Sequence, residues 1–240
     1  MKCSWYFGDA ADGFFSSPRA IDELKDRCND LAHKLNLETI ILLAQTHSTE
    51  GHVVNNSFLS STQHILGASG DFLITKCKNI GIGVLTADCL PIVIVDPLSD
   101  SVAVVHAGWR GTRAHIAIKA IEMLEQQCNS DKTALKIYFG PAAGACCYQV
   151  QPDFLQTETG EQAEKEKLEQ KQLLASCIQE RDQKIFFDII AYNKQLLLAH
   201  GITEDHINTD EHCCTICNKS YCSYRRDATT KRQITLAWIK

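Results

Sequence analysis

The sequence predicts an α+β fold, built as one domain over residues 1–240. Three observations carry this. Short β-rich runs bounded by Gly, Pro, Asp or Ser fill much of the chain, helical periodicity appears before and after them, and no repeat, low-complexity tract or Pro/Gly linker divides it. With 45% apolar and 22% charged residues in 240, the chain can bury a core without disulfides, and the composition excludes disordered, collagen-like and coiled-coil classes.

Taken in order, residues 18–36 open with Ser17-Pro18 and space Ile21, Leu24, Cys28, Leu31 and Leu35 three or four apart, which puts one apolar stripe on a capped helix. The runs 39–45 (TIILLAQ), 71–75 (DFLIT), 82–86 (IGVLT), 91–96 (PIVIVD) and 101–106 (SVAVVH) read as strands. A helix over 112–128 carries Ile116, Ala120, Ile121 and Leu124 on one face, and 135–139 is the next strand. The charged stretch 157–171 predicts an exposed helix without chemistry. Residues 187–200 form a helix capped by Asp188 and ended by Gly201, and a closing strand, 234–239 (ITLAWI), returns to the sheet.

Lys and Arg number 24 against 29 Asp and Glu, a net charge of −5. The chain therefore lacks the basic surplus that drives binding to nucleic acid or to an anionic membrane. Its first residues reach Asp9 before any signal-peptide core can form, and no run approaches ~18 uninterrupted apolar residues, so the expected location is the cytoplasm. The twelve cysteines are then expected as thiols: small buried hydrophobes, metal ligands or nucleophiles.

Chemistry-bearing residues collect where strands end: Gln45-Thr-His47-Ser, Thr86-Ala-Asp88-Cys89 and His106-Ala-Gly-Trp-Arg110-Gly. A strand end is rigid enough to aim a side chain and open enough to admit a ligand. Two imidazoles and one thiolate suit zinc, and three protein ligands leave a fourth position free; copper accepts the same donors. Spacing alone does not bring positions 47, 89 and 106 together. Individually, His47 reads equally as a polar loop residue, Cys89 as a packing thiol and His106 as a histidine satisfied by backbone. Asp88 is either an acceptor and proton carrier beside Cys89 or a turn residue. A helix starting after Thr112 would offer free N–H groups to an anion near Arg110 or Arg113. The segment 139–148 either lines a pocket, with Tyr148 stacking on a planar base, or forms a plain turn. Cys213, Cys214, Cys217 and Cys222, near His206 and His212, contain the ligand spacing Cys214-Thr-Ile-Cys217, yet a zinc knuckle needs a second pair and Cys222 has no close partner.

Together these segments resemble one family, the laccase-domain or YfiH-like proteins, described as polyphenol oxidases and as purine nucleoside phosphorylases. The resemblance rests on Gln45-Thr-His47-Ser, Thr86-Ala-Asp-Cys89-Leu-Pro-Ile, Val104-Val-His106-Ala-Gly-Trp-Arg-Gly111, Gly140-Pro-Ala-Ala-Gly-Ala-Cys-Cys-Tyr148, Cys214-Thr215, Ser223-Tyr-Arg-Arg-Asp227 and Arg232-Gln233, in order across 45–233. It implies an α-β-β-α layered sandwich with mixed sheets and zinc ligands His47, Cys89 and His106. It also implies phosphorolysis of adenosine, inosine and S-methyl-5'-thioadenosine to base and ribose 1-phosphate, with adenosine deamination as a second activity. Nucleoside and phosphate are the expected partners, with Asp88 as proton carrier and Arg110, Tyr148, Arg225 and Arg226 as substrate-binding candidates.

The chain departs from the family pattern at its front. A Phe-Thr-x-Arg-x-Gly-Gly stretch is replaced by Asp12-Gly-Phe-Phe-Ser-Ser-Pro-Arg19, Arg27 is only a weak match to a later arginine, and Gln149 stands where a Glu is usual. Rival chemistries remain: a cysteine hydrolase or deamidase with Cys89 as nucleophile and His106 as base, a copper-dependent polyphenol oxidase, and a non-catalytic zinc module. The copper reading wants a thioether ligand, and only Met1 and Met123 exist, neither well placed.

Overall fold

Alternation within the apolar runs sends successive side chains to opposite faces, and this builds the molecule in layers. The computed structural model of the protein describes residues 3–15, 21–151, 154 and 164–240. The expected cap at Ser17-Pro18 and residues 157–163 of the charged stretch lie outside these. In chain order the strands are β1 (Cys3–Phe7), β2 (Phe14–Phe15), β3 (Thr39–Ala44), β4 (Gly51–Val54), β5 (Ile65–Ser69), β6 (Phe72–Thr75), β7 (Ile80–Thr86), β8 (Leu90–Asp96), β9 (Ser101–Ala107), β10 (Lys136–Phe139), β11 (Gln149–Val150), β12 (Ile178–Arg181), β13 (Lys184–Phe187), β14 (Ile207–Asn208) and β15 (Lys231–Ile239). The helices are α1 (Ile21–Leu35), α2 (Asn56–Ser61), α3 (Trp109–Arg113), α4 (Ile116–Cys128), α5 (Glu164–Ser176), α6 (Ile189–Ala199) and α7 (Tyr224–Asp227).

The first sheet runs β1-β15-β7-β3-β5, with β2 beside β15; β3 is parallel to β7 and β5, and the β15 pairings are antiparallel. The second runs β14-β10-β8-β9-β6-β4 and mixes both senses, and β11-β13-β12 form a small antiparallel third. Ile41 and Leu43 of β3, Ile82 and Val84 of β7, and Ala237 and Ile239 of β15 meet Leu73, Val93, Val95, Val102 and Val104 of the second sheet in a common core. Their neighbours Ile40, Leu42, Leu85, Ile234, Leu236 and Trp238 face outward onto Leu24, Cys28 and Ala32 of α1. On the far side of the second sheet, Phe72, Ile74, Ile92, Ile94, Ala103 and Val105 pack on α4 and α6. The order of layers is helix, sheet, sheet, helix, the α-β-β-α sandwich with mixed sheets that the resemblance implies.

All five strands read from the first half of the chain are present, and so are the 135–139 strand and the closing strand, which lies between β1 and β7. Asp188 caps α6 by accepting from the Ala191 N–H, as expected. One element differs. The helix expected over 112–128 begins earlier, at Trp109 directly after β9, and breaks where His115 adopts a left-handed conformation (φ 61°, ψ 38°). Thr112 therefore lies inside α3, its N–H bonded to the Gly108 carbonyl, and the next helix N-terminus comes only at Ile116. The strands absent from the sequence reading include β1, β5 and β12, each with at most one fully buried residue, although Cys3, Trp5 and Phe7 of β1 alternate onto the sheet–sheet core.

Truncating the sheet–sheet core has a large expected cost. Ile41→Ala lowers unfolding free energy by about 2–5 kcal/mol in urea titration, whereas Leu98→Ala, at a side chain 73% exposed, changes it by no more than about 0.5 kcal/mol.

Candidate functional site

Asp71, the first residue of the DFLIT run, has no solvent exposure. Its carboxylate gathers the chain around it. It accepts from the Thr46 N–H (3.2 Å) and hydroxyl (3.3 Å), the His47 N–H (3.0 Å), and the Ser48 N–H (2.6 Å) and hydroxyl (2.7 Å). It also bonds His106 Nδ1 at 2.8 Å, while the Asp71 carbonyl accepts the His106 N–H at 2.7 Å. Burial alone would raise this carboxyl, but the hydrogen bonds from His106 and Ser48 overrule it and hold Asp71 well below the usual carboxylate range. Just upstream, the Gln45 amide bonds both the carbonyl and the N–H of Leu85 at 2.8 Å, which fixes the end of β3 against the end of β7.

These restraints bring three predicted ligands to one point. His47 Nε2, Cys89 Sγ and a ring nitrogen of His106 all lie within 4.8 Å of one another, with Cys89 Sγ 4.0 Å from His47 Nε2. His106 is buried at the end of β9, Cys89 is half-buried in the β7–β8 turn, and His47 is exposed, so the group opens to solvent on one side. His47 (φ 59°) and Asp88 (φ 84°) both occupy left-handed backbone, a conformation that costs a non-glycine residue about 1–3 kcal/mol. Asp71 offsets that cost at His47 by accepting its N–H. Gly108 closes the floor: a Cβ there would lie 3.0 Å from His47 Cδ2 and 3.1 Å from Cys89 Sγ.

The donor set fits a metal. Two nitrogens and one sulfur match zinc, whose tetrahedral shell with bonds of about 2.0–2.3 Å needs ligand atoms roughly 3.3–3.8 Å apart. Asp71 on His106 Nδ1 is the carboxylate–histidine arrangement that orients the other ring nitrogen toward an ion. Without a metal, burial would push the Cys89 thiol up, but the His106 charge, followed by hydrogen bonds from both imidazoles, brings it down to about 6. His106 mirrors this. Burial disfavours its charge, and the Cys89 thiolate followed by Asp71 raises it to about 9.

The remaining predicted residues divide. Tyr148 is half-buried, and burial raises its hydroxyl; charges at Cys89, Arg225, Asp88 and Arg110 all act on it, which puts these groups in one neighbourhood. Arg225 lies over the Tyr148 ring at 5.5 Å and donates to the Gln149 carbonyl at 2.7 Å. Arg110 is exposed above the Trp109 ring at 4.5 Å. The Asp88 carboxylate accepts the Thr215 hydroxyl and the Arg225 N–H, both at 2.7 Å, and so ties the tail segment to the site. Arg226 is committed elsewhere, to the carbonyls of Thr215, Ile216, Asn218 and Tyr221 and to Asp227. Arg113 donates to the Phe154 carbonyl and lies over its ring. Sequence reasoning missed Asp71, whose only signal was an acid opening an apolar strand. It also gave no role to Arg232, a half-buried guanidinium on β15 that feels the charges of Cys89, Cys222 and Asp88.

Comparison with known proteins follows the same lines. A family model described as multi-copper polyphenol oxidoreductase laccase matches residues 16–240. A purine nucleoside phosphorylase of Aquifex aeolicus is 36% identical over 166 residues, 69% of each chain. Adenosine deaminase RL5, from an unknown prokaryotic organism, is 32% identical over 200 residues, 80% of this chain and 71% of that one. The crystal structure of Bacillus licheniformis hypothetical protein YfiH superposes with a TM-score of 0.82 at 22% identity, covering 99% of this chain and 93% of that one. No helix among the described residues is long and apolar enough to cross a membrane.

Asp71→Asn is expected to lower unfolding free energy by about 3–5 kcal/mol, and the affinity of the three donors for an added metal ion by roughly 10–100-fold, read by urea unfolding and by chelator competition. The folded carboxyl titrates below its unfolded value near 4, so its stabilisation is complete above that pH and is lost as pH falls through it toward the folded value. Stability of the parent protein therefore drops more steeply below about pH 4 than that of Asp71→Asn. In metal-stripped protein, alkylation of Cys89 mapped by peptide mass spectrometry has its midpoint near 6, moving toward the ordinary thiol range in His106→Gln.

Proposed function

We propose, because this chain belongs to the multi-copper polyphenol oxidoreductase laccase family, that it is a purine nucleoside enzyme centred on a metal held by His47, Cys89 and His106. The observation that carries the reading is the meeting of two imidazoles and one thiol at an open-sided point, beside an aromatic ring and arginines. Zinc suits these donors and, when bound, supplies Lewis acidity and an open coordination position next to the substrate. The reactions we assign are phosphorolysis of adenosine, inosine and S-methyl-5'-thioadenosine to the base and ribose 1-phosphate, with adenosine deamination as a second activity.

The chain's own residues have distinct parts in this. Asp71 keeps the His106 proton on Nδ1, which leaves the lone pair of Nε2 for ligation. Tyr148 offers its ring to a purine, a contact worth ~1–3 kcal/mol per base. Arg225 and Arg110 give the open side positive charge, and a guanidinium can bind phosphate through two parallel hydrogen bonds. Asp88 acts as a positioning residue, since both carboxylate oxygens already accept hydrogen bonds that set Thr215 and the Arg225 backbone. We assign Arg226 the same kind of role, because its guanidinium holds the 215–221 loop.

One observation favours a second reading. Asp71, His106 and Cys89 form a chain of acid, imidazole and low-pKa thiol, the arrangement of a cysteine hydrolase. That mechanism leaves His47, 4.0 Å from the sulfur, without a task. Copper chemistry has less support: Met123, on α4, packs against the helix-side core.

Metal analysis beside nucleoside turnover, with and without phosphate, separates the readings. The expected result is near-stoichiometric zinc, with Cys89→Ser and His47→Ala each losing more activity than the roughly 10–100-fold typical of an outer partner. Full activity in metal-free protein with a covalent adduct on Cys89 would instead establish the hydrolase. Tyr148→Ala is expected to raise KM for the nucleoside by roughly 5- to 150-fold, the equivalent of ~1–3 kcal/mol. Arg225→Gln should slow phosphorolysis far more than deamination, measured as the ratio of the two rates at fixed nucleoside.

A further inference from the structure

A second cluster of ligand atoms lies apart from the triad. Cys146 and Cys147 sit in the segment after β10, and Cys214 and Cys217 in the loop between β14 and α7, 70 residues further on. The four Sγ atoms lie within 4.8 Å of one another, with Cys147 and Cys217 3.0 Å apart and Cys146 and Cys217 3.4 Å apart. All four are free thiols. The pair that Cys214-Thr-Ile-Cys217 lacked in sequence is supplied by the adjacent cysteines 146 and 147, while Cys213 and Cys222 stay outside the group.

We propose that Cys146, Cys147, Cys214 and Cys217 form a closed structural zinc site that staples these two segments together. Four sulfurs at Zn–S bonds of about 2.3 Å stand roughly 3.8 Å apart in a tetrahedron; Cys147–Cys217 and Cys146–Cys217 are closer than this, at 3.0 and 3.4 Å, and all four sulfurs stay within 4.8 Å of one another. The backbone is shaped for thiolates. The Gly144 N–H donates to Cys214 Sγ at 3.3 Å. A zinc ion with four thiolates carries a net −2, and the Arg181 guanidinium lies against this loop, donating to the carbonyls of Ala145 (2.6 Å) and Cys146 (3.1 Å).

The segments are already aligned by backbone: the Ala142 N–H bonds the Cys213 carbonyl and the Thr215 N–H bonds the Ala142 carbonyl. One segment carries Tyr148, and the other carries Thr215 and Arg225, which Asp88 holds beside the triad. A four-sulfur site has no open position, so its work is to fix these walls relative to each other. The assignment stands independently of the nucleoside reading.

The test uses His47→Ala/Cys89→Ser, in which the first centre is removed and the four cysteines are untouched. Purified under reducing conditions, it is expected to retain about one zinc per chain, and X-ray absorption should show four sulfur neighbours at about 2.3 Å. The parent protein should hold about two, and Cys147→Ser/Cys217→Ser about one with a shell richer in nitrogen and a lower Tm. Metal-free His47→Ala/Cys89→Ser, a shell dominated by nitrogen or oxygen, or a Cys147–Cys217 disulfide in the reduced preparation would each overturn the proposal. The X-ray absorption arm decides the question even if the cysteine variants fail to fold.

Discussion

The candidate centre depends on one buried carboxylate. Asp71 has no exposure to water, so its charge persists only because the chain supplies a full set of donors, and those donors belong to the residues the site must hold in place. The His47 backbone is held in a left-handed turn by the same group that orients the His106 ring. One carboxylate thus restrains both the His47 backbone and the His106 ring. It is also ambivalent in chemistry, because a carboxylate behind an imidazole serves either a metal ligand or a base beside a thiol. What distinguishes the two is the second imidazole, His47, on the far side of the sulfur.

Around that core the site is assembled from ends of elements rather than their middles. β3, β7 and β9 deliver His47, Cys89 and His106 at or just beyond their last residues, and the close packing of the two sheets makes these ends neighbours. The outer wall is less deeply anchored. Tyr148 and Thr215, from two irregular segments, and Arg225, from the short helix α7, are held by bonds to Asp88 and a few backbone bonds, beside the four-cysteine cluster. The inner set of donors is thus fixed by buried hydrogen bonds, while the outer wall is held by fewer restraints.

Much of the sandwich was legible because its strands are buried on both faces and read as continuous apolar runs. The edge strands β1, β5 and β12, with at most one fully buried residue each, were not. The 112–128 helix shows a different limit. Its apolar spacing from Ile116 onward is correct, but periodicity carries no information about a left-handed residue at 115 or a start imposed by the end of β9 at Gly108.

The sequence by itself determined the residue types capable of the chemistry and the strand ends that present them, since donor atoms and local propensity are properties of short segments. The convergence of His47, Cys89 and His106, the role of Asp71, the withdrawal of Arg226 into its own loop, and the pairing of Cys146 and Cys147 with Cys214 and Cys217 were decided only in three dimensions. Arg226 turns onto carbonyls 5 to 11 residues away, while the other three share one physical reason: each depends on the distance between atoms far apart along the chain. That distance is set by how two sheets pack and where their loops fall, which no local pattern encodes.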